Sequence, residues 1–114
     1  MRYGSPTLTR IFDVSDLMNP ELHVNYFAAV NAIDHNGYVV GDRYYLSSYK
    51  AGLREIDISQ IESKQMNEVG YFDSYPQGDG SGFSGAWSVY PFFKSENIII
   101  SDINSGLFIV KKQN

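Results

Sequence analysis

The chain of 114 residues has the length of one small domain, and it contains no cysteine, which excludes disulfides, zinc-thiolate centres and thiol nucleophiles together. Thirteen acids against 9 bases give a net charge of -4, so the totals supply no basic face for a nucleic-acid backbone, and nucleic acid is not an expected partner. Charged residues at 19% and aromatic residues at 15%, with 9 Tyr and 7 Phe against a single Trp, exclude a disordered chain and favour strands.

Residues 1–6 carry a charge but lead into no apolar stretch of the secretory kind, and no segment approaches the roughly 18 apolar residues of a membrane span. The sequence as written reads as soluble, without a signal or an anchor. Along the chain, short runs rich in Tyr, Ile and Val alternate with Gly, Asn, Asp and Ser, the signature of strands and turns. Strands are predicted near 8–14, 22–28, 37–40, 44–49, 53–58, 68–73, 88–92, 98–103 and 107–110. Helix is limited to one turn at 59–64, where Ser59-Gln60-Ile61-Glu62 has capping-box spacing.

These segments repeat. A shift of 54 lays residues 43–58 on 97–112, so that Leu46 meets Ile100, Ser47 meets Ser101, Gly52 meets Gly106, Leu53 meets Leu107 and Ile56 meets Val110. Upstream, Ala32 falls on Ala86 and Tyr38 on Phe92 in the same register. A second register lays residues 10–15 on 54–59 at a shift of 44, and Val24-Asn25-Tyr26-Phe27 on Val69-Gly70-Tyr71-Phe72 at a shift of 45. The difference between the registers locates an insertion between Phe72 and Ala86, in the glycine-rich stretch 77–85, and insertions belong in loops on one face of a repeat array.

A repeat of about 45 residues with four short antiparallel strands is the size of a propeller blade. The expected fold is therefore all-β and propeller-like: a leading strand at 8–15, a blade at 21–58 and a blade at 66–111, in one partial domain over 1–114. Propellers close with typically about four to eight blades. Two blades are too few, so the chain is expected either to belong to a longer propeller or to associate with its own copies. Three copies of about two and a third blades would supply seven.

The segments 35–41, 49–59, 82–92 and 99–110, reading HNGYVVG, YKAGLREIDIS, GFSGAWSVYPF and IISDINSGLFIV, resemble the C-terminal part of the choice-of-anchor B proteins, which are built from LVIVD repeats. The resemblance spans about Thr9 to Val110. It implies a β-propeller from a bacterial surface or secreted protein, hence an extracellular or cell-surface location. It supplies no catalytic residues. Proteins of that family are longer and carry a secretion signal, so the resemblance also implies a truncated product or a fragment.

Asp34-His35-Asn36 is the densest polar cluster, and a histidine beside a carboxylate is a pattern for acid-base work or metal ligation. Neighbours on a strand point to opposite faces, which predicts that Asp34 is not held against His35 and that the imidazole bonds a turn or a neighbouring strand. His23 is expected to be a half-buried strand residue. The loop 73–82 offers hard oxygen donors, and its acids Asp73 and Asp79 are the candidate calcium ligands, although the alternating acids and terminal glutamate of an EF-hand are missing. As the one sizeable insertion, this loop is the expected place of partner contact. Around it stand Tyr75, Phe83, Trp87, Tyr90, Phe92 and Phe93, dense enough for a sugar-stacking or protein-binding platform. Trp87 and Phe92 are expected in the core between blades, whereas Tyr75 and Phe83 are the better binding candidates. Ser84 lacks the flanking pattern of a nucleophile elbow. Asp13, Asp57 and Asp102 are expected to bond turns.

The sequence thus predicts a non-enzymatic propeller segment that binds a protein or a glycan through its loops, with Asp34, His35, Tyr75, Asp79, Phe83 and Trp87 as candidate binding residues and no required cofactor. The alternatives are a fragment of a propeller enzyme with a site near Asp34 and His35, and a calcium-stabilised module.

Overall fold

The computed structural model describes residues 6–78 and 80–113. The all-β class holds. Among the described residues nine strands run in chain order as β1 (Leu8–Asp13), β2 (Glu21–Phe27), β3 (Asn36–Val40), β4 (Arg43–Ser47), β5 (Leu53–Asp57), β6 (Asn67–Phe72), β7 (Ala86–Tyr90), β8 (Ile98–Asp102) and β9 (Gly106–Val110). Each lies within two residues of its expected position. The helical turn is a single 3-10 turn, Ile61–Ser63, closed by Lys64 in a left-handed conformation. Among the described residues no helix is long and apolar enough to cross a membrane.

Turn bonding is what separates the strands. The carboxylates of Asp13, Asp57, Asp73 and Asp102 each accept the backbone N–H two residues on, from Ser15, Ser59, Tyr75 and Asn104, at 2.8–2.9 Å. These short side chains offer the backbone a local partner in place of the ladder, so the strand stops where they stand. The role expected of Asp13, Asp57 and Asp102 is the observed one.

Among the described residues the strands pair antiparallel in three sheets: β1-β2, β3-β4-β5-β6 and β7-β8-β9. The sheets are cut one strand later than the expected units. β2 pairs with β1, and β6 pairs with β5, so neither opens a unit as the spans 21–58 and 66–111 required. The connections 28–35 and 73–85 carry the chain from one sheet to the next. The first buries Ala32 and Ile33, and the second ends on Gly85, whose carbonyl accepts from Ile103 N–H at 2.8 Å.

The core lies between the second and third sheets. Tyr45 and Leu53 from one meet Ala86, Val89, Ile98 and Ile100 from the other, with Phe72, Phe108 and Val110 closing its rim. Complete burial of Ile100 and Val89 stabilises the packing by about 1.5–3 kcal/mol each. Polar links reach to the first sheet and the segment before it. Thr7 Oγ1 donates to the Ala32 carbonyl, Thr9 Oγ1 donates to Asp34 at 3.2 Å, and His23 Nε2 lies 2.7 Å from the Ile61 carbonyl oxygen.

Candidate functional site

Tyr49 is the post around which the site is built. It follows β4 with φ 33°, a left-handed value that a bulky residue adopts only when its surroundings hold it there. Its carbonyl oxygen accepts from Ala86 N–H at 2.8 Å and from Gly52 N–H at 2.9 Å, so the start of β7 and the tight turn 49–52 are locked to one atom. Gly85 is required by that approach: a Cβ there would stand 2.2 Å from the Tyr49 oxygen, and its φ of 96° is strained for any other residue.

Three exposed rings converge on the buried Tyr49 ring. His35 lies 5.0 Å away between ring centres, Phe83 5.3 Å away edge-on, and Trp87 6.2 Å away edge-on, while His35 and Trp87 approach each other to 4.3 Å. Trp87 is 49% exposed and Phe92 46%, so neither takes the core position expected of it. The reason is a bulge in the β7–β8 ladder between Ala86 and Ser88, which turns Trp87 to solvent and leaves Ala86 and Val89 as the inward residues. Phe92 instead joins an exposed ridge with Tyr38 and Tyr90, at 5.3 and 5.4 Å, and Tyr90 continues it to Phe93 at 4.9 Å.

The loop approaches the same place. Lys50 Nζ stands 5.7 Å above the half-buried Tyr75 ring and 3.2 Å from the position a Gly82 Cβ would take. Tyr75, Phe83, Trp87 and His35 thus border one face. Asp73 spends one carboxylate oxygen on its turn with Tyr75. Asp79, the other acid singled out in the loop, lies outside the described residues. Tyr49 and Lys50 escaped the sequence reading because they look like the end of a strand before a Gly-Leu turn; only the pairing of Tyr49 with Ala86 reveals them.

Asp34 is not part of that face. Its carboxylate accepts from Ser48 Oγ and Thr9 Oγ1, whereas His35 donates through Nδ1 to the Trp87 carbonyl and through its backbone N–H to the Ser47 carbonyl oxygen at 2.9 Å. The two neighbours diverge, although both lie in the connection before β3 and not on a strand, so their separate hydrogen-bond partners, and not strand alternation, hold them apart. Burial pushes the Asp34 carboxyl above its ordinary range, with the Ser48 and Thr9 hydroxyls pulling it back. Burial likewise raises the Tyr44 phenol, and the charge of Asp34 raises it further. A cleft of about 710 Å³ opens beside Asp34, lined also by Thr7, Arg10, Phe27, Ala32 and Ser81.

No family model, no curated protein and no solved structure matches the chain.

Proposed function

We propose that the chain is a non-enzymatic β-propeller segment of a bacterial surface or secreted protein of the LVIVD-repeat, choice-of-anchor B kind, and that it binds a protein or glycan through the face around Trp87. Support for the propeller reading comes from the repeat, which lays β4 and β5 on β8 and β9, and from the antiparallel pairing of strands within each of the small sheets. The extracellular location rests on the resemblance of residues 9–110 alone.

One observation carries the ligand reading: Phe83, Trp87 and His35 stand exposed on a single buried ring, at the end of the only long insertion in the repeat. Exposed aromatics held rigid by their neighbours offer large contact area at low entropic cost, the property of binding hot spots and sugar platforms alike. The divergence of Asp34 and His35 deprives the enzyme alternative of its acid-base pair.

Trp87 is the single tryptophan, so its emission reports this face and nothing else. The test challenges the chain with a glycan array and with a panel of purified bacterial envelope proteins. Saturable binding that shifts Trp87 emission, and that Trp87→Ala and Phe83→Ala each weaken by about tenfold or more without changing far-UV circular dichroism, is the expected result. Binding that both variants keep, or no Trp87-dependent binding to either set, overturns the reading.

A further inference from the structure

The face around Trp87 carries a cation with no counter-ion among the described residues. Lys50 Nζ stands 5.7 Å over the Tyr75 ring, and the end of its side chain lies against Gly82, the neighbour of Phe83. The carboxylates engaged in ion pairs are those of Glu55, Asp57 and Glu68, held by Arg43, Lys112 and Arg54, and none of them reaches Lys50. Asp34 is turned to Ser48 and Thr9, and Asp73 bonds its own turn. Lys50 is half-buried, and a ring contact leaves the N–H donors of an ammonium unspent, so this side chain keeps its capacity for an anion.

The same face offers a hydrogen-bond acceptor. A carbonyl oxygen accepts and never donates, so the bond from His35 to the Trp87 carbonyl fixes the proton on Nδ1, and the neutral ring keeps Nε2 as a bare acceptor on an exposed side chain. The backbone groups nearest the rings are engaged within the chain. Tyr49 O accepts from Ala86 and Gly52, Gly85 N–H donates to Asn104 Oδ1 at 2.9 Å, and Gly85 O accepts from Ile103. An extended peptide docks chiefly through backbone hydrogen bonds at a free sheet edge. What this face presents instead is rings, an acceptor and a cation.

We infer that the ligand of this face is an acidic saccharide, an oligomer of uronic acids, whose ring stacks on Trp87 and Phe83 while its carboxylate pairs with Lys50 and one of its hydroxyls donates to His35 Nε2. The inference rests on the ligand reading proposed above and chooses glycan over protein within it. A uronic acid supplies a match for each element of the face: an apolar C–H side for the rings, hydroxyl donors for the imidazole, and an anion at its rim for the ammonium. The net charge of -4 gives the chain no general attraction for anions, so selection falls to the contact at Lys50 and not to the field of the whole molecule.

The test titrates the full chain, followed by Trp87 emission, with oligomers of galacturonate, glucuronate and mannuronate, each against its methyl ester, which keeps the ring and removes the charge. Polyglutamate serves as charge without sugar. At least one acid oligomer is expected to bind saturably, about tenfold or more tightly than its ester. Lys50→Gln is expected to erase that preference and Lys50→Arg to keep it, with far-UV circular dichroism unchanged in both. The comparison of acid with ester is made on the unaltered chain, so a folding failure in a variant leaves it decisive. Equal affinity for acid and ester, a preference that Lys50→Gln leaves intact, polyglutamate bound as tightly as the sugar acid, or no binding of any acid oligomer overturns the inference. Where a neutral glycan or an envelope protein then binds in a Trp87-dependent way, the ligand face stands and the acidic sugar alone falls; where nothing does, both fall.

Discussion

The imidazole of His35 lies 4.3 Å from the indole of Trp87, ring centre to ring centre, and donates through Nδ1 to the backbone carbonyl of the same residue. One side chain therefore fixes both the ring and the backbone of the bulged residue at the start of β7. His35→Ala should lower stability by about 1–2 kcal/mol, the sum of a ring contact and a hydrogen bond, and shift Trp87 emission to the red as the indole loses its neighbour. His35→Phe keeps the ring, and should cost about half as much with little spectral shift. Urea unfolding followed by tryptophan emission measures both.

Asp34 makes stability depend on acid pH in a defined direction. Its carboxyl is raised from the ordinary 3.8 chiefly by burial. A group that holds its proton more tightly when folded contributes stability that is complete below the unfolded value and is lost as pH rises through the folded one. Asp13 and Asp57 are lowered, through the hydrogen bonds from Ser15 and Ser59, and contribute the opposite slope, lost as pH falls below 3.8. Asp34→Asn should therefore remove the decline on the rising side, above pH 3.8, and leave the acid-side loss in place. Thermal melts of both chains across that range check the sign; a variant whose profile parallels the wild type would refute it.

Gly52 and Gly106 occupy the same position of the repeat and both adopt positive φ, 72° and 81°. A Cβ on Gly52 would stand 2.1 Å from the Phe72 carbonyl oxygen, because β6 passes over that turn. A Cβ on Gly106 meets nothing within 4 Å. Gly106→Ala should cost the backbone term alone, about 1–2 kcal/mol. Gly52→Ala adds a collision with backbone that cannot swing aside, and should cost several times as much, to the point of preventing folding. Denaturant midpoints of the two variants provide the comparison.

That pair also shows what the sequence could reveal. Strand positions were legible because alternation and the Asp and Gly turns mark them locally, down to the carboxylates of Asp13, Asp57 and Asp102. The repeat placed Gly52 on Gly106, yet nothing in it tells that one is roofed by a strand and the other is not, since pairing is a matter of distant chain. For the same reason β2 and β6 were assigned to the units that follow them rather than to those they close. Tyr75 and Phe83 were identified from their loop. Trp87 was expected inside, because hydrophobic size predicts burial and the bulge that turns it out leaves no mark on composition. Tyr49 and Lys50 acquire their roles through contacts with residues distant in the chain, Phe83 and Gly82 among them.

Arg54 is the residue whose burial the repeat least foreshadowed, since its counterpart at a shift of 54 is Phe108. It is buried in β5, donates through Nε to the Ala51 carbonyl at 2.9 Å, pairs with Glu68 at 3.3 Å, and lies 4.7 Å over the Tyr71 ring. Three partners compensate one desolvated guanidinium, and removing the cation differs from removing the anion. Glu68→Gln leaves the Ala51 bond, the ring and a neutral acceptor, and because Glu68 is partly open to solvent the loss should be about 1 kcal/mol. Arg54→Ala leaves a cavity, an unpaired carboxylate and an uncovered ring together, for a loss of about 3–5 kcal/mol. Arg54→Met fills the space without the charge and should fall between the two, which chemical denaturation of the three variants will order; equal losses for Glu68→Gln and Arg54→Ala would mean that the ion pair, and not the packing of the guanidinium, holds β5 to β6.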